Sequence, residues 1–307
     1  MPQNVIGVDI AKHWIDTFCL DSGTSARLEM TPPALQAFSA RCTGALVVFE
    51  ASGGYERPLA EALAAAGVAY TRVNPRQARE FARATGRLAK TDRVDARVLA
   101  AMGRALELAP TPPPDPARTR LAALVARREE LVDHAAREAK RLKQATDPFV
   151  RADMTSLIRL LKTRIRKAEA EIAKHIAAHD QLATTEQRLR SAPGIGEVTA
   201  ASLVARLPEL GQVSRSAIAN LAGLAPHACD SGLMRGQRHI WGGRKDVRKT
   251  LYQAAFIASR YDPALKALRK RLQDAGKPFK VAIIAVARML LTQLNAIIRE
   301  QRNYLPG

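Results

Sequence analysis

Cysteine is scarce in this chain, and the few cysteines present exclude two kinds of scaffold. The three residues, Cys19, Cys42 and Cys229, are widely separated and odd in number. A disulfide framework usually has an even number of cysteines, and a structural zinc site needs closely spaced pairs of ligands. We therefore expect neither, and we interpret all three as small core residues of a protein from a reducing cytoplasm.

We also expect neither a secretory signal nor a membrane anchor. The N-terminal residues, MPQNVIGVDIAK, have no basic start followed by an apolar run, which is the pattern of a signal peptide. No uninterrupted apolar run approaches the roughly 20 residues that a membrane-spanning helix needs. The most apolar stretch, 281–299, is interrupted by Arg288, and we interpret it as a buried core helix or a helix that packs on a partner.

Acidic residues are too few to balance the basic ones. Lysine and arginine number 48 against 29 aspartates and glutamates, which gives a net charge of +19. Such an excess favours a polyanionic partner, because each cation placed on a phosphate releases counterions. The chain is not disordered by composition, since 47% of its 307 residues are hydrophobic and can fill the cores of two domains.

The first part of the chain, 1–109, alternates between strand and helix patterns. Strands are predicted at 5–10, 14–20, 26–30, 45–50 and 68–73, and helices at 32–42, 55–66, 75–84 and 91–106. Three early strands followed by alternating helices and strands predict an α/β domain with a mixed sheet.

The middle part, 110–190, begins with PTPPPDP, a stiff linker or domain edge, and continues as a long helical region. Asp147-Pro148-Phe149 is predicted to break this region into two helices. Apolar residues step by three and four along one seam, with cations on the outer faces, and the seam consists of Ile158, Leu161, Ile165, Ala168, Ile172 and His175. This spacing predicts a coiled coil that joins copies of the chain, and the alternative is two helices packed within one copy.

The last part, 191–307, begins with a Gly194-Ile195-Gly196 turn before a predicted helix. Backbone N–H groups at such a helix start suit a DNA phosphate, and the element resembles a helix-hairpin-helix. A plain turn at a helix boundary is the alternative. A glycine-rich, basic stretch, 230–243, then leads into another helix.

Four carboxylates stand out in this basic chain. Asp9 and Glu50 end predicted strands one and four, and Asp92 and Asp95 are three residues apart on one helix, on the same face. If strands one and four are neighbours, the acids can converge at one edge of the sheet. Crowded carboxylates need a cation, and oxygen ligands favour a hard metal such as Mg²⁺. Solvated surface acids are the alternative for each residue taken alone.

Motifs along nearly the whole chain resemble one known family. They are GVDIAK, FEASGGYERPLA and VNPRQAREFARATGRLAKTDRVDARVLA in the first part, and APGIGEVTAASLVA, LAGLAPHACDSG and RGQRHIWGGRKDVRKTLYQAA in the last. In order and spacing they are similar to those of the DEDD transposases of the insertion-sequence one-ten group, the bridge-RNA-guided recombinases. The resemblance implies a RuvC-like (RNase H-like) domain, a coiled-coil linker and a mostly α-helical transposase domain.

The resemblance also implies the roles of particular residues. It places the metal-binding acids at Asp9, Glu50, Asp92 and Asp95, and a catalytic serine that forms a phosphoserine link to DNA at Ser231. By local pattern alone, a Ser-Gly pair in a loop is an ordinary turn. The implied partners are donor and target DNA, a structured guide (bridge) RNA, and further copies of the chain in a dimer or tetramer.

Further residues are candidates for contact with nucleic acid. Arg76, Arg79 and Arg83 lie on one face of a predicted helix, where a solvated surface is an equal alternative. The full candidate set is Arg76, Arg79, Arg83, Lys90, Gly194, Gly196, Arg235, Arg238, His239, Arg244, Lys245 and Arg248.

Three functions compete on these grounds. The first is an RNA-guided recombinase that inserts and excises mobile DNA in the bacterial cytoplasm, associated with the nucleoid. The second is a metal-dependent nuclease resembling a Holliday-junction resolvase, in which Ser231 is structural. The third is a nucleic-acid scaffold with a decayed site, which the presence of all four acids and the serine disfavours.

Overall fold

The structure, a computed structural model, describes residues 4–86, 92–113, 115–227 and 238–305, apart from the side chains of 92–94. The chain divides into two compact units, Met1–Pro113 and Pro114–Gly307, and the division falls inside the proline-rich segment. The finer division at residues 109 and 190 stays a prediction.

The first unit is a five-stranded sheet with helices on both faces. Its strands are β1 (Asn4–Ile10), β2 (Trp14–Cys19), β3 (Ser25–Glu29), β4 (Ala45–Glu50) and β5 (Ala69–Val73). Its helices are α1 (Pro32–Arg41), α2 (Arg57–Ala65), α3 (Pro75–Ala84) and α4 (Asp92–Ala105). The strand order is β3-β2-β1-β4-β5, with β1, β4 and β5 parallel and β2 antiparallel to both of its neighbours. The predicted mixed sheet is confirmed.

The two faces of the sheet follow from strand alternation, because successive side chains point to opposite sides. Ile6 and Val8 of β1 belong to the core beneath α1 and α2, whereas Val5 belongs to the core beneath α3 and α4. Of the predicted core cysteines, Cys42 is buried and Cys19 is half-buried; Cys229 lies outside the described residues.

In its described residues, the second unit is built from helices and one short two-stranded ribbon. The helices are α5 (Pro116–Leu142), α6 (Pro148–Ala177), α7 (Asp180–Arg190), α8 (Glu197–Arg206), α9 (Arg215–Leu221), α10 (Lys245–Tyr261), α11 (Pro263–Asp274) and α12 (Phe279–Arg299). The ribbon pairs β6 (Pro226–His227) with β7 (His239–Ile240) in antiparallel fashion.

Helices α5 and α6 form a long antiparallel hairpin within the chain. The break predicted at Asp147 is confirmed, since its side chain caps α6 by accepting a hydrogen bond from the Val150 N–H. Leu161 and His175 of the predicted seam are buried, and His175 Nε2 lies 2.8 Å from the Ala117 carbonyl oxygen of α5. The seam therefore packs on α5 within one copy. Pairing of this hairpin between copies stays a prediction.

Helix α12 is long and apolar enough to cross a membrane by length and composition, with an 18-residue window of mean hydropathy 1.9. Half of that window is buried inside the unit, however, against α10, α11, α9 and α7. It is therefore a core helix of the second unit, with Arg288 on its exposed side.

Candidate active site

Two of the predicted metal ligands lie at the ends of neighbouring parallel strands. Strands β1 and β4 pair in register, with Val8 opposite Phe49, so that Asp9 and Glu50 follow side by side at the same edge of the sheet. Both residues are half-buried. The condition set by the sequence, that strands one and four be neighbours, is confirmed.

Both side chains also project from the same face of the sheet. Side chains two residues apart lie on the same side of a strand. Asp9 is therefore on the same side of β1 as Val5 and Gly7, and Glu50 is on the same side of β4 as Leu46 and Val48. Val5, Leu46 and Val48 all belong to the core that α4 covers. Asp9 and Glu50 therefore stand on the α4 side, beyond the last apolar layer.

Helix α4 reaches this face because two glycines let it approach closely. A Cβ atom on Gly7 would lie only 1.9 Å from the Ala96 carbonyl oxygen and 2.5 Å from the Ala100 backbone nitrogen. A Cβ atom on Gly103 would lie 2.8 Å from Val5 Cγ1. The end of α4 therefore lies over the start of β1, and the start of α4 lies toward Asp9.

The start of α4 carries the remaining two acids. The helix begins at Asp92, and Asp95 is half-buried one residue before the Ala96 contact with Gly7. The backbone thus brings Asp9, Glu50 and the start of α4, with Asp92 and Asp95, to one edge of the sheet, which we call the acid edge. Among the side chains that the structure describes, no group of three or more His, Cys, Asp or Glu is placed to hold a metal, and the Asp92 side chain lies outside this set.

Asp16, an acid that the sequence reasoning missed, is the cross-strand neighbour of Asp9. The two residues are paired in the β1–β2 register, and Asp16 is only 4% exposed. Arg27 of β3 donates two hydrogen bonds to the Asp16 carboxylate, of 3.0 Å from Nε and 2.7 Å from Nη2. Opposed carboxylates repel one another, so Arg27 offsets the charge beside Asp9. The signal was in the alternation of WIDTFC, which puts Asp16 on the α4 face.

Glu56, a second missed carboxylate, organises the turn after Glu50. It accepts hydrogen bonds from the backbone N–H groups of Ser52, at 3.2 Å, and Gly54, at 2.8 Å, and from the Ser52 hydroxyl. Burial alone would raise the pKa of Glu56, but these hydrogen bonds outweigh burial and lower it. Glu56 thereby fixes the chain that leaves β4 directly beyond Glu50.

The predicted serine lies in a segment whose two ends are fixed in the second unit. Ser231 and Arg235 are outside the described residues, but the flanking strands β6 and β7 pair His227 with His239. Trp241 packs against His227, with ring centroids 4.9 Å apart. The described residues on either side of 228–237 are therefore neighbours, and β7 is close in sequence to the start of α10.

Two of the predicted phosphate-binding arginines hold this region together. Arg244 donates a hydrogen bond of 2.8 Å to the Arg206 carbonyl oxygen. It also donates two hydrogen bonds to the Glu209 carboxylate, of 2.6 Å from Nη1 and 2.5 Å from Nη2. Arg248 donates to the Gly242 carbonyl oxygen at 2.7 Å. These contacts give both arginines a structural role, and a phosphate contact by either stays a prediction.

The other candidates for nucleic-acid contact are mostly exposed. Arg76 pairs with Glu80 at 2.9 Å on the surface of α3. Lys90 lies outside the described residues. The exposed candidates with described side chains are Arg76, Arg79, Arg83, Arg238, His239 and Lys245.

The Gly194–Gly196 turn joins α7 to α8, and its two glycines differ in surroundings. Gly194 has φ +80°, and a Cβ there would lie 2.5 Å from the Ala254 carbonyl oxygen of α10. Gly196 caps the start of α8 and is exposed. Gly194 therefore serves helix packing, while phosphate binding at this turn stays a prediction.

Comparison with known proteins assigns both units to transposases. The family DEDD_Tnp_IS110, described as a transposase, matches residues 6–149, and the Transposase IS116/IS110/IS902 family matches residues 186–270. Together the two matches cover about three quarters of the chain. The first implies an RNase H-like fold, with which the mixed sheet is consistent, and dependence on a divalent metal.

Curated relatives agree with this assignment. The Pilin gene-inverting proteins of Moraxella lacunata and Moraxella bovis are each 29% identical in an alignment 319 positions long, which covers 99% of this chain and 98% of each relative. The Insertion element IS110 uncharacterized 43.6 kDa protein of Streptomyces coelicolor is 30% identical over 141 residues, 45% of this chain and 34% of that protein.

The family match and the mixed sheet agree on a transposase with an RNase H-like first unit. The chain belongs to the IS110 family of transposases, and its activity is that of a DNA transposase or recombinase, which cleaves and rejoins phosphodiesters.

Proposed function

We propose that the enzyme inserts and excises a mobile DNA element by RNA-guided strand cleavage and exchange, using an acidic Mg²⁺ site and Ser231. The observation that carries the proposal is the convergence of β1, β4 and the start of α4 at one sheet edge. Asp9, Glu50, Asp92 and Asp95 would hold the ion there. Mg²⁺ bound to carboxylates supplies positive charge that stabilises a phosphate under attack.

Ser231 would be the nucleophile. Its Oγ forms a bond to the phosphorus, the bond from phosphorus to one sugar oxygen breaks, and that oxygen leaves with the proton as a free hydroxyl. The resulting phosphoserine keeps the energy of the phosphodiester, so a hydroxyl of a second strand can reverse the step and complete an exchange. Exposed cations such as Arg238 and Lys245 would stabilise the charge that develops on the phosphate.

Guide RNA and DNA would be held mainly through their backbones. The net charge of +19 supports a large polyanionic assembly, and base pairing would then supply the sequence choice. We propose a homo-oligomer, dimer or tetramer, acting in the bacterial cytoplasm on the nucleoid. Ile158, Ile165 and Ala168 of the seam are only half-buried, so assembly through the coiled coil would use this partly open side of the hairpin or its exposed residues, such as Phe149 at the start of α6.

A covalent-adduct assay tests this chemistry. The purified protein is incubated with Mg²⁺, RNA transcribed from the flanks of its gene and labelled donor DNA, and is then run on a denaturing gel. We expect a protein–DNA band that disappears in Ser231→Ala and in Asp92→Ala. Matched controls are Ser216→Ala and Asp153→Ala, which change exposed residues of α9 and α6 and should leave the band intact.

Other outcomes of the assay would redirect the proposal. Cleaved DNA without an adduct, unchanged in Ser231→Ala, would support the resolvase-like nuclease instead. A band that forms without RNA would remove RNA guidance while keeping the serine. Mixing Ser231→Ala with Asp92→Ala protein tests a shared site, because activity returns only if acids and serine come from different copies.

Inversion of a DNA segment is a second candidate outcome of the same chemistry. The relatives matched along their full length are named for inverting a pilin gene, whereas the insertion-element protein is matched over about a third of its length. A plasmid with two recombination sites separates the two. Flipping of the intervening segment would support inversion, and its release as a circle would support excision.

A further inference from the structure

An exposed aromatic–cation pair lies beside the acid edge, on the side away from Glu50. The guanidinium carbon of Arg27 lies 5.0 Å from the centre of the Trp14 ring, within the range of a cation–π contact. Trp14 remains 38% exposed, and the Arg27 side chain is 53% exposed. The pair therefore keeps part of an aromatic ring and part of a cation accessible to a ligand.

The pair is tied to the acid edge through the sheet register. Asp9 of β1 is opposite Asp16 of β2, and Asp16 is opposite Arg27 of β3. Trp14 comes two residues before Asp16 on the same face, next to the tight turn closed by the Ala11 N–H and the Trp14 carbonyl oxygen. The two-residue step along β2 from Asp16 to Trp14 spans about 7 Å, which is roughly the rise of two stacked nucleotides. Trp14 therefore lies about two nucleotides along the strand from the position of Asp16.

The pair is also held in place before any ligand arrives. Asp16 is buried and takes both Nε and Nη2 of Arg27, which fixes the plane of the guanidinium. Trp14 has few rotatable bonds and packs beside His13, with ring centroids 6.4 Å apart. A flat, rigid surface of this kind suits stacking of a nucleobase, which needs no particular base sequence.

We propose that Trp14 and Arg27 form a stacking site for an unpaired DNA base adjacent to the phosphate that is cleaved at the acid edge. The inference rests on the proposed function, since that function brings the phosphate to Asp9 and Glu50. Stacking there holds the strand so that its phosphate stays in register with the carboxylates. Asp16 is a positioning residue, which acts by orienting Arg27.

Tryptophan fluorescence offers a direct test, because the chain contains only two tryptophans. In the full-length Trp241→Phe variant, Trp14 is the sole reporter. It is titrated with a short DNA duplex carrying an unpaired tail, with the same duplex whose tail is abasic, and with an RNA of the same design. We expect quenching by the DNA with bases and little by the abasic DNA.

Affinity for the tailed DNA supplies the second readout. Trp14→Ala should bind about five- to 150-fold more weakly, the range expected for loss of one stacked base. Trp14→Phe keeps a ring and should bind nearly as tightly as the wild type. Tyr261→Ala, which removes another exposed ring at the end of α10, should bind like the wild type and serves as the matched control.

The remaining outcomes separate this inference from the chemistry on which it rests. Equal quenching by abasic DNA, or unchanged affinity in Trp14→Ala, would overturn the stacking site even if the covalent adduct forms. Quenching by the RNA alone would overturn the assignment to DNA. Base-dependent quenching that persists in a protein that forms no adduct would support the stacking site, and the proposed chemistry would then be what fails.

Discussion

Adding a single methyl group to Gly7 should separate β1 from α4 and disable the acid edge. In Gly7→Ala the new Cβ would stand 1.9 Å from the Ala96 carbonyl oxygen and 2.5 Å from the Ala100 nitrogen. Both atoms belong to the backbone of α4, so no side-chain rotation relieves the overlap. The helix itself has to move.

The size of the effect follows from these distances. Ordinary contact requires the strand and helix to separate by more than about 1 Å, which a closely packed core resists. Overpacking of this kind costs about 3 kcal/mol, the upper part of its usual range, or roughly 10–20 °C in the Tm of a unit of this size. Because α4 carries Asp92 and Asp95, a 1 Å shift should also slow metal-dependent cleavage by about a hundredfold.

Gly103→Ala is the matched control on the same helix. Its new Cβ would meet side-chain atoms, Val48 Cγ2 at 2.7 Å and Val5 Cγ1 at 2.8 Å, which can yield more readily than backbone. Replacing glycine by alanine within a helix also contributes about 1 kcal/mol of stability, which offsets part of the overlap.

Calorimetry of the full chain and the adduct assay are the measurements. We expect Gly7→Ala to lower the transition of the first unit strongly and to abolish most of the adduct, and Gly103→Ala to do much less of both. A Gly7→Ala protein with wild-type Tm and activity, or equal losses in the two variants, would refute the account of how α4 is seated.

Three further predictions concern polar groups that the fold holds. Burial would raise the pKa of Glu209, but hydrogen bonds and charge from Arg244 outweigh it and lower the pKa below its ordinary 4.5. The ion pair therefore stabilises the fold above pH 4.5, and this stabilisation is lost as the pH falls below that value. At pH 7 the free energy of unfolding in urea should be higher for the wild type than for Glu209→Gln, and the difference should shrink on acidification. Glu56→Gln should destabilise the turn after β4 by about 1–2 kcal/mol, measured by urea unfolding, because a charged acceptor of three hydrogen bonds is lost. Asn295→Leu should lower the Tm, at a cost of about 2–4 kcal/mol, because the Gly211 N–H and the Val213 carbonyl oxygen both lose their buried partner; an unchanged Tm would contradict these contacts.

Periodicity in the sequence predicted most of the first unit, because its strands and helices obey local rules. The alternation of side chains along the strands also predicts that Asp9 and Glu50 lie on the same face of the sheet. The pairing of β1 with β4 could be stated only as a condition, since neighbours in a sheet depend on contacts distant in sequence. Gly7 gave no sequence signal of its importance, because a close approach exists only once α4 is packed on the sheet.

The α5–α6 hairpin shows the limit of a periodic pattern more clearly. The apolar seam correctly predicted a packed helical face, but spacing alone does not identify the partner helix. Within the chain the seam packs on α5, which the break at Asp147 allows to fold back along α6. Asp16 and Glu56 were missed for a related reason, since each matters through a neighbour that only the fold provides.

The candidate phosphate contacts could not be ranked by sequence, and the fold now orders them. Arg244 is tied to Glu209 and to a backbone carbonyl, whereas Lys245, one residue later, is exposed at the first position of α10. A cation that holds the fold together and one that binds a phosphate should therefore respond differently to removal. Lys245→Ala should leave the Tm unchanged and reduce the slope of log K against log salt for DNA binding by about 1. Arg244→Ala should lower the Tm, because Glu209 would remain half-buried and would lose its charge partner. The contrary result would be that Arg244→Ala changes the salt slope and leaves the Tm constant. In that case Arg244 of the wild type leaves Glu209 and binds a phosphate when DNA binds, and the ion pair does not stabilise the fold.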